Sequence, residues 1–247
     1  MAMIIEISNL KKTFKLWFRK TPVLKWVNLK VQEWEIFGFL WPNWAWKTTT
    51  IKAILWFIKP DEWEILLFWK KLEENRKLLK KIWFAPENAY YYDHLTWEEF
   101  LEYMGKLSGL TNTQLKEKIP YFLEKVWLTF ASKRYIKTYS KWMKQRLWLA
   151  AAIIHDPELV FFDEPMSGLD PLWRNLVKNI MKELKEKWTT VFFNTHILSD
   201  VQEIADRFAI IHLGKVIFDW NVSEVKWSLE DFFVEKIKST WQQVNIK

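Results

Sequence analysis

The chain has no cysteine and only 5 glycines among 247 residues. Without cysteine there can be no disulfide framework, cysteine-ligated zinc, iron–sulfur cluster or thiol catalysis, and a reducing compartment fits. An average composition of about 7% would give roughly 17 glycines. Few glycines and 8 prolines exclude collagen-like and Gly/Pro-rich low-complexity chains. No apolar run approaches 18 residues, so no membrane-spanning helix is expected. The opening MAMIIEISNL has no basic segment followed by an apolar one, so no secretory signal is expected, and the chain reads as cytoplasmic. Neither charge sign dominates: 37 Lys and Arg against 30 Asp and Glu leave +7. A solvated lysine-rich surface accounts for that charge, although it would also favour a nucleotide, a nucleic acid or an anionic membrane face.

What is present is a globular composition, 50% hydrophobic and 27% charged, with enough chain for one large domain or two small ones. There are also 19 tryptophans, normally one of the rarest residues. Short β-branched or aromatic runs alternate with amphipathic stretches. Strands are expected at Ile4–Ser8, Val27–Val31, Glu35–Leu40 and Glu64–Phe68, with a helix at Lys47–Leu55. From about Thr96 to Val126 the character is helical, opened by two capping boxes, Thr96 with Glu99 and Thr111 with Gln114. The alternation then resumes: helix Ser140–His155, strand Glu158–Phe162, helix Pro171–Lys187, strand Thr189–Asn194, helix Ile197–Ala205, then strands Arg207–Leu213 and Lys215–Asp219. This order predicts an α/β fold on a parallel sheet, interrupted by a helical insert. A short helix is expected through Leu229–Lys238.

Two segments carry chemistry. In Glu158–Pro165, four apolar residues lead to adjacent carboxylates, Asp163 and Glu164. Ligands of α/β sheets bind at the carboxyl ends of strands. Acids there suit a metal ion and a general base, and neighbouring residues on a strand point differently. In Phe39–Thr49, an apolar strand runs through a loop into a helix, with Lys47-Thr48 placed as in the phosphate-binding loop G-x-x-x-x-G-K-[ST]. That loop requires glycine at 41 and 46, and the chain has Trp41, Trp44 and Trp46 around Pro42, Asn43 and Ala45. Backbone amides wrap a phosphate only where φ can be positive and no side chain intrudes.

Replacing those tryptophans by glycine in thought restores the loop. The same swap turns Asp61-Glu62-Trp63-Glu64 into a turn, Trp34 into a turn glycine, and Trp127 and Trp188 into helix-stop glycines. The tryptophans follow neither helical nor strand periodicity. With these residues in view, the chain resembles the ATP-binding subunit of ABC transporters over nearly its whole length. The phosphate loop is 41–49. The signature sequence falls on Tyr139-Ser140-Lys141-Trp142-Met143, followed by Lys144-Gln145-Arg146-Leu147. The Walker B strand is Leu159–Glu164, the D-loop Ser167-Gly168-Leu169-Asp170, and the switch histidine His196 in Asn194-Thr195-His196. The Q-loop position is Glu87, where the family more often has Gln, and the adenine-stacking aromatic best matches Phe14. The form of the signature and the tail Ser228–Phe233 resemble ATPases of bacterial ABC-2-type and multidrug exporters.

The resemblance implies a P-loop NTPase core with a mostly parallel sheet, an antiparallel β subdomain and a helical insert subdomain. It divides the chain into an ATPase domain at 1–222, with the insert at about 88–140, and a helical appendage at 223–247. It implies ATP and Mg2+ as ligands. Lys47 would meet the β- and γ-phosphates; Thr48, Asp163 and Glu87 would serve the metal. Glu164 would act on the attacking water and His196 on the γ-phosphate. Trp41–Thr49, Ser140, Lys141, Trp142, Met143, Asp170 and Phe14 would line the nucleotide. The implied partners are a second ATPase subunit, head to tail, and a separate transmembrane permease at the cytoplasmic membrane face, with no nucleic acid. A soluble ABC ATPase outside transport is the alternative.

Two explanations of the tryptophans compete. If they are real, the phosphate loop is blocked and the chain is a nucleotide-dead scaffold, yet Lys47, Asp163, Glu164 and His196 all remain. If the gene reads UGA as glycine, decoding it as tryptophan would put Trp at many glycine positions and leave 5 glycines from ordinary codons.

Overall fold

A computed structural model describes residues 2–17, 19–40, 47–88, 90–226 and 228–244; the side chains of Leu16, Lys47 and residues 239–244 are outside that description. In chain order the elements are β1 (Met3–Leu16), β2 (Arg19–Gln32), β3 (Ile36–Leu40), α1 (Lys47–Ile54), β4 (Glu62–Leu67), β5 (Lys70–Lys71) and β6 (Ile82–Ala85). They continue with α2 (Trp97–Leu107), α3 (Asn112–Lys125), α4 (Lys141–Ile153), β7 (Leu159–Asp163), α5 (Pro171–Glu186) and β8 (Thr190–Thr195). The last are α6 (Leu198–Ile204), β9 (Arg207–His212), β10 (Lys215–Asn221) and α7 (Leu229–Val244).

Two sheets form. One is antiparallel, in the order β2-β1-β4-β5. The other has the order β10-β9-β3-β8-β7-β6, parallel throughout except for β10 at its edge. Its central strands are buried on both faces, so they read as continuous apolar runs: LVFFD in β7 and TVFFNT in β8 are buried at every residue. Alternation sorts these side chains into two cores. Phe37, Phe39, Phe161 and Phe192 pack with Ile51 and Ile54 of α1 and with Ile5, Ile7 and Leu29 of the antiparallel sheet. Leu40, Val160, Phe162 and Phe193 pack with Leu147 of α4, Val177 and Ile180 of α5, and Val201 of α6. Gly38 permits this closeness, because a Cβ there would lie 2.8 Å from Val201 Cγ1.

Both expected capping boxes are present. Thr96 accepts from the Glu99 amide and Thr111 from that of Gln114, while the Glu99 and Gln114 side chains accept from the cap amides. Strands β1 and β2 are longer than their apolar cores because the hairpin continues through the mostly polar segments Lys11–Lys15 and Arg19–Pro22, which pair along the ladder.

The helix ends bear on the tryptophans. After α2, the Gly109 amide bonds to Lys106 O and the Leu110 amide to Gly105 O, with Gly109 at φ +94. This is a Schellman stop, which needs a left-handed residue just past the cap. The same pair of bonds closes α1 around Trp56 (φ +61), α3 around Trp127 (φ +54) and α5 around Trp188 (φ +64). Hairpins repeat the comparison. Leu213-Gly214 joins β9 to β10 with both residues at positive φ, and Phe68-Trp69 joins β4 to β5 in the same way. Seven of the fifteen tryptophans whose backbone is described have positive φ: Trp17, Trp26, Trp34, Trp56, Trp69, Trp127 and Trp188. Trp63, on β4, and Trp142, on α4, have ordinary backbones, so any need for glycine there is one of space.

Candidate functional site

The parallel register brings the site together. Leu40 at the end of β3 lies opposite Thr195 of β8, Asp163 of β7 opposite Asn194, and Ala85 of β6 opposite Phe162. The segments that follow β3, β7, β8 and β6 therefore leave the same edge of the sheet, and they carry the expected phosphate-loop positions, Glu164, His196 and Glu87. Six loop positions, Trp41, Pro42, Asn43, Trp44, Ala45 and Trp46, lie outside the described residues, as does the side chain of Lys47.

Thr48, in the first turn of α1, donates its hydroxyl to Asp163 Oδ2 at 2.6 Å. Asp163 is buried, and its other oxygen, Oδ1, is buried with no hydrogen-bond partner among the described residues. A carboxylate oxygen held dry and unbonded beside a hydroxyl is a binding place for a hard cation. No cluster of three metal-ligating side chains occurs among the described residues. One carboxylate and one hydroxyl suit Mg2+, which is commonly held by one or two protein oxygens plus substrate phosphates and water. Thr49 is buried in the same turn.

Glu164 follows directly but leaves the strand. Its φ is +51, a conformation costing a non-glycine residue about 1–2 kcal/mol. Its amide donates to Asn194 Oδ1 at 2.9 Å and to the Asn194 carbonyl at 3.1 Å, which holds the turn. The carboxylate is buried, and its Oε1 lies 2.9 Å from Nδ1 of half-exposed His196. The adjacent acids thus face different partners, Asp163 toward α1 and Glu164 toward His196.

Next to them is a cavity of about 390 Å3, lined by Glu87, Asp163, Glu164, Lys141 and Trp142 among others. Ser140 caps α4, its hydroxyl accepting from the Met143 amide at 3.2 Å. The first turn of α4 has no acidic residue and carries Lys141 and Lys144, so the positive end of its dipole is reinforced. Asp170 caps α5 by accepting from the Trp173 amide at 3.1 Å. Phe14 is separate from this group. It is exposed on the antiparallel sheet with the Lys12 ammonium 5.6 Å from its ring, and it does not line the cavity.

Comparison with known proteins now decides the family. Residues 24–167 match the family described as ABC transporter. The chain belongs to the ABC transporter ATP-binding family. It is 40% identical to an uncharacterized ABC transporter ATP-binding protein of Synechocystis, over 94% of this chain and 67% of that protein. It is 36% identical to the bacitracin transport ATP-binding protein BcrA of Enterococcus faecalis, over 91% of this chain and 71% of that one. Among solved structures it resembles an ATP-binding subunit of an ABC transporter, with TM-score 0.87 and 27% identity over 95% of this chain and 99% of that one. It also shares the fold of a dimeric ATP-binding cassette bound to ADP and Pi, with TM-score 0.80 and 22% identity over 88% of this chain and 98% of that one. As a member of this family, the protein is an ATP-binding hydrolase.

Two contributors to the site were not singled out from the sequence of this ABC ATPase. In the sequence Asn194 stands out only as part of Asn194-Thr195-His196, whereas its side chain and carbonyl both hold Glu164. A buried amide directly after the apolar run Val191–Phe193 is the signal that marks it. The cavity also takes in Tyr91, Gln145 and Arg146; Tyr91, whose hydroxyl donates to Lys144 O at 2.7 Å, gives no pattern in the sequence.

Proposed function

We propose that this ABC ATPase hydrolyses MgATP at the edge formed by β3, β7, β8 and β6 and thereby drives export through a separate membrane subunit. The observation that carries the reading is the paired contact at that edge, Thr48 with Asp163 and Glu164 with His196. Lys47 meets the β- and γ-phosphates. Thr48 and Asp163 would hold Mg2+, which would supply charge neutralisation on the phosphate oxygens, with Glu87 of the cavity wall as a further oxygen donor. Glu164 orients the attacking water and accepts its proton through the carboxylate that His196 contacts. His196 steadies charge on the γ-phosphate. Work of this kind is mostly positioning and electrostatics. Phe14 stacks on the adenine.

The positive end of α4, with Ser140, Lys141, Trp142 and Met143, suits a phosphate group. In a head-to-tail dimer it would serve the nucleotide of the other subunit, next to Asp170. The relative BcrA, named for bacitracin transport, supports export. Among the described residues no helix is long and apolar enough to cross a membrane, which supports a peripheral place at the cytoplasmic face beside a permease. The ATPase domain spans 1–222, with the helical insert at 88–140 facing that permease and 223–247 as an appendage.

The reading includes glycine as the natural residue at the tryptophan positions, supported by Trp56, Trp127 and Trp188 occupying the same helix stop as Gly109. The test is ATP turnover by the natural protein, followed by purification from detergent-solubilised membranes. We expect Mg2+-dependent hydrolysis, near-complete loss of it in Glu164→Gln with ATP binding retained, and co-purification of a membrane protein of several helices. Absence of hydrolysis, or wild-type turnover in Glu164→Gln, overturns the assignment.

A further inference from the structure

Asp200 is fully buried in the first turn of α6, four residues after His196. Its Oδ1 takes the Arg174 guanidinium at 2.7 Å and the Lys178 ammonium at 3.0 Å, both from α5. Its Oδ2 is buried with no hydrogen-bond partner among the described residues. Lys178 also pairs with Glu203, one turn further along α6. Arg174 belongs to the first turn of α5, its amide bonded to Asp170 O at 3.0 Å. The contact therefore joins the start of α5 to the start of α6. Those starts are where the chain arrives from Glu164 and from His196.

A buried ion pair contributes little net stability over an apolar pair of similar volume, because desolvation offsets the attraction. What it does supply is a fixed register, since an unpaired buried charge is costly in any other arrangement. Here the register has a consequence. Glu164 is held from one side by Asn194, but His196 lies on the short segment between β8 and α6, so its reach to Glu164 follows the placement of α6. Val201 against Gly38 sets the distance of α6 from the sheet; contacts with Arg174 and Lys178 set its position along α5.

We propose that Asp200, through Arg174 and Lys178, is a positioning residue for hydrolysis: it registers α6 against α5 so that His196 stands at the Glu164 carboxylate. The inference rests on the proposed roles of Glu164 and His196. The isosteric variant Asp200→Asn keeps the shape and removes the charge that orders both cations. Misplacement of a catalytic group by about an ångström can cost on the order of 100-fold. We therefore expect kcat to fall about 10- to 100-fold, with KM for ATP changed less than about twofold, since only the His196 contact is displaced and the proposed Lys47 and Phe14 contacts with the nucleotide lie elsewhere. The comparison variant is Lys185→Met, which removes an ion pair with Asp206 at the far end of the same helix; it should keep the parent kcat.

Histidine side-chain NMR separates this proposal from the reading beneath it. The chain has 4 histidines, and His196→Gln identifies the resonance. Asp200→Asn should shift the His196 signals and leave those of His94 unchanged, whether or not the parent turns over. An active parent with Asp200→Asn at the same kcat overturns the proposal, as does an unmoved His196 resonance. Equal losses in Asp200→Asn and Lys185→Met, each tracking the folded fraction by circular dichroism, also overturn it. An inactive parent overturns the proposed hydrolysis, and the His196 resonance in Asp200→Asn then decides by itself whether Asp200 places His196.

Discussion

Glycine at Trp188 should be more stable than alanine, the reverse of the usual order. Trp188 stands just past α5 at φ +64, its side chain mostly exposed, with one ring contact to Trp34 at 4.9 Å between centroids. Trp188→Gly and Trp188→Ala both lose that contact, so comparing them cancels it. What remains is the left-handed backbone, which costs a residue bearing a Cβ about 1–2 kcal/mol. Opposing it is the extra freedom of glycine in the unfolded chain, about 0.4–1 kcal/mol. The balance makes the glycine variant more stable by about 1 kcal/mol. At Lys182, exposed in the interior of α5, the order inverts: glycine should be less stable than alanine by about 0.8–1 kcal/mol. Urea denaturation reads both differences as shifts in midpoint at constant slope. If Trp188→Ala equals or exceeds Trp188→Gly in stability, the helix-stop reasoning fails. At that balance, seven such positions together would cost about 7 kcal/mol, comparable with the whole stability of a domain, which favours glycine at them. Intact mass of the natural protein should accordingly fall below the 30.2 kDa of the tryptophan-bearing chain, by the Trp–Gly difference at each site; a mass equal to it contradicts that reading.

Other perturbations test separate parts. Asp163→Asn should abolish the Mg2+-dependent part of thermal stabilisation by ATP and spare most of the Mg2+-free part; an unchanged Mg2+ response would remove Asp163 from the metal site. Burial pushes His155 down to about 4, while the unfolded residue titrates near 6.5. The unfolded chain therefore binds the extra proton between those values, and the stability present above pH 6.5 is lost as pH falls toward 4. Between pH 7.5 and 5.0 the parent should lose about 2 kcal/mol more than His155→Leu; equal losses in denaturant midpoint experiments would contradict this. Thr96→Ala removes the cap of α2 and should cost about 1 kcal/mol by the same assay, with no loss meaning that the capping box is idle.

The parallel core was legible because its strands are short, wholly apolar and end in charged or polar residues: Asp163 and Glu164 after LVFF, Asn194 and Thr195 after TVFF. The helix starts were legible from Thr96, Thr111, Ser140 and Asp170, whose side chains cap in the way their types favour. The long polar part of the β1–β2 hairpin was not, since backbone pairing there leaves no apolar alternation to read. Nor was the contact of Asp200 with Arg174, two residues 26 apart in sequence that only the packing of α6 on α5 joins. The helix-stop role of Trp127 and Trp188 could be read only by treating tryptophan as glycine. At Trp17 and Trp26 only the backbone angles mark the left-handed conformation.

The central claim is an ATP-driven dimer whose turnover depends on Glu164. Light scattering of the natural protein carrying Glu164→Gln tests it most directly. The account predicts a monomer without nucleotide, a stable dimer with MgATP, and a monomer again with ADP. A particle that stays monomeric with MgATP while still hydrolysing it would contradict the account.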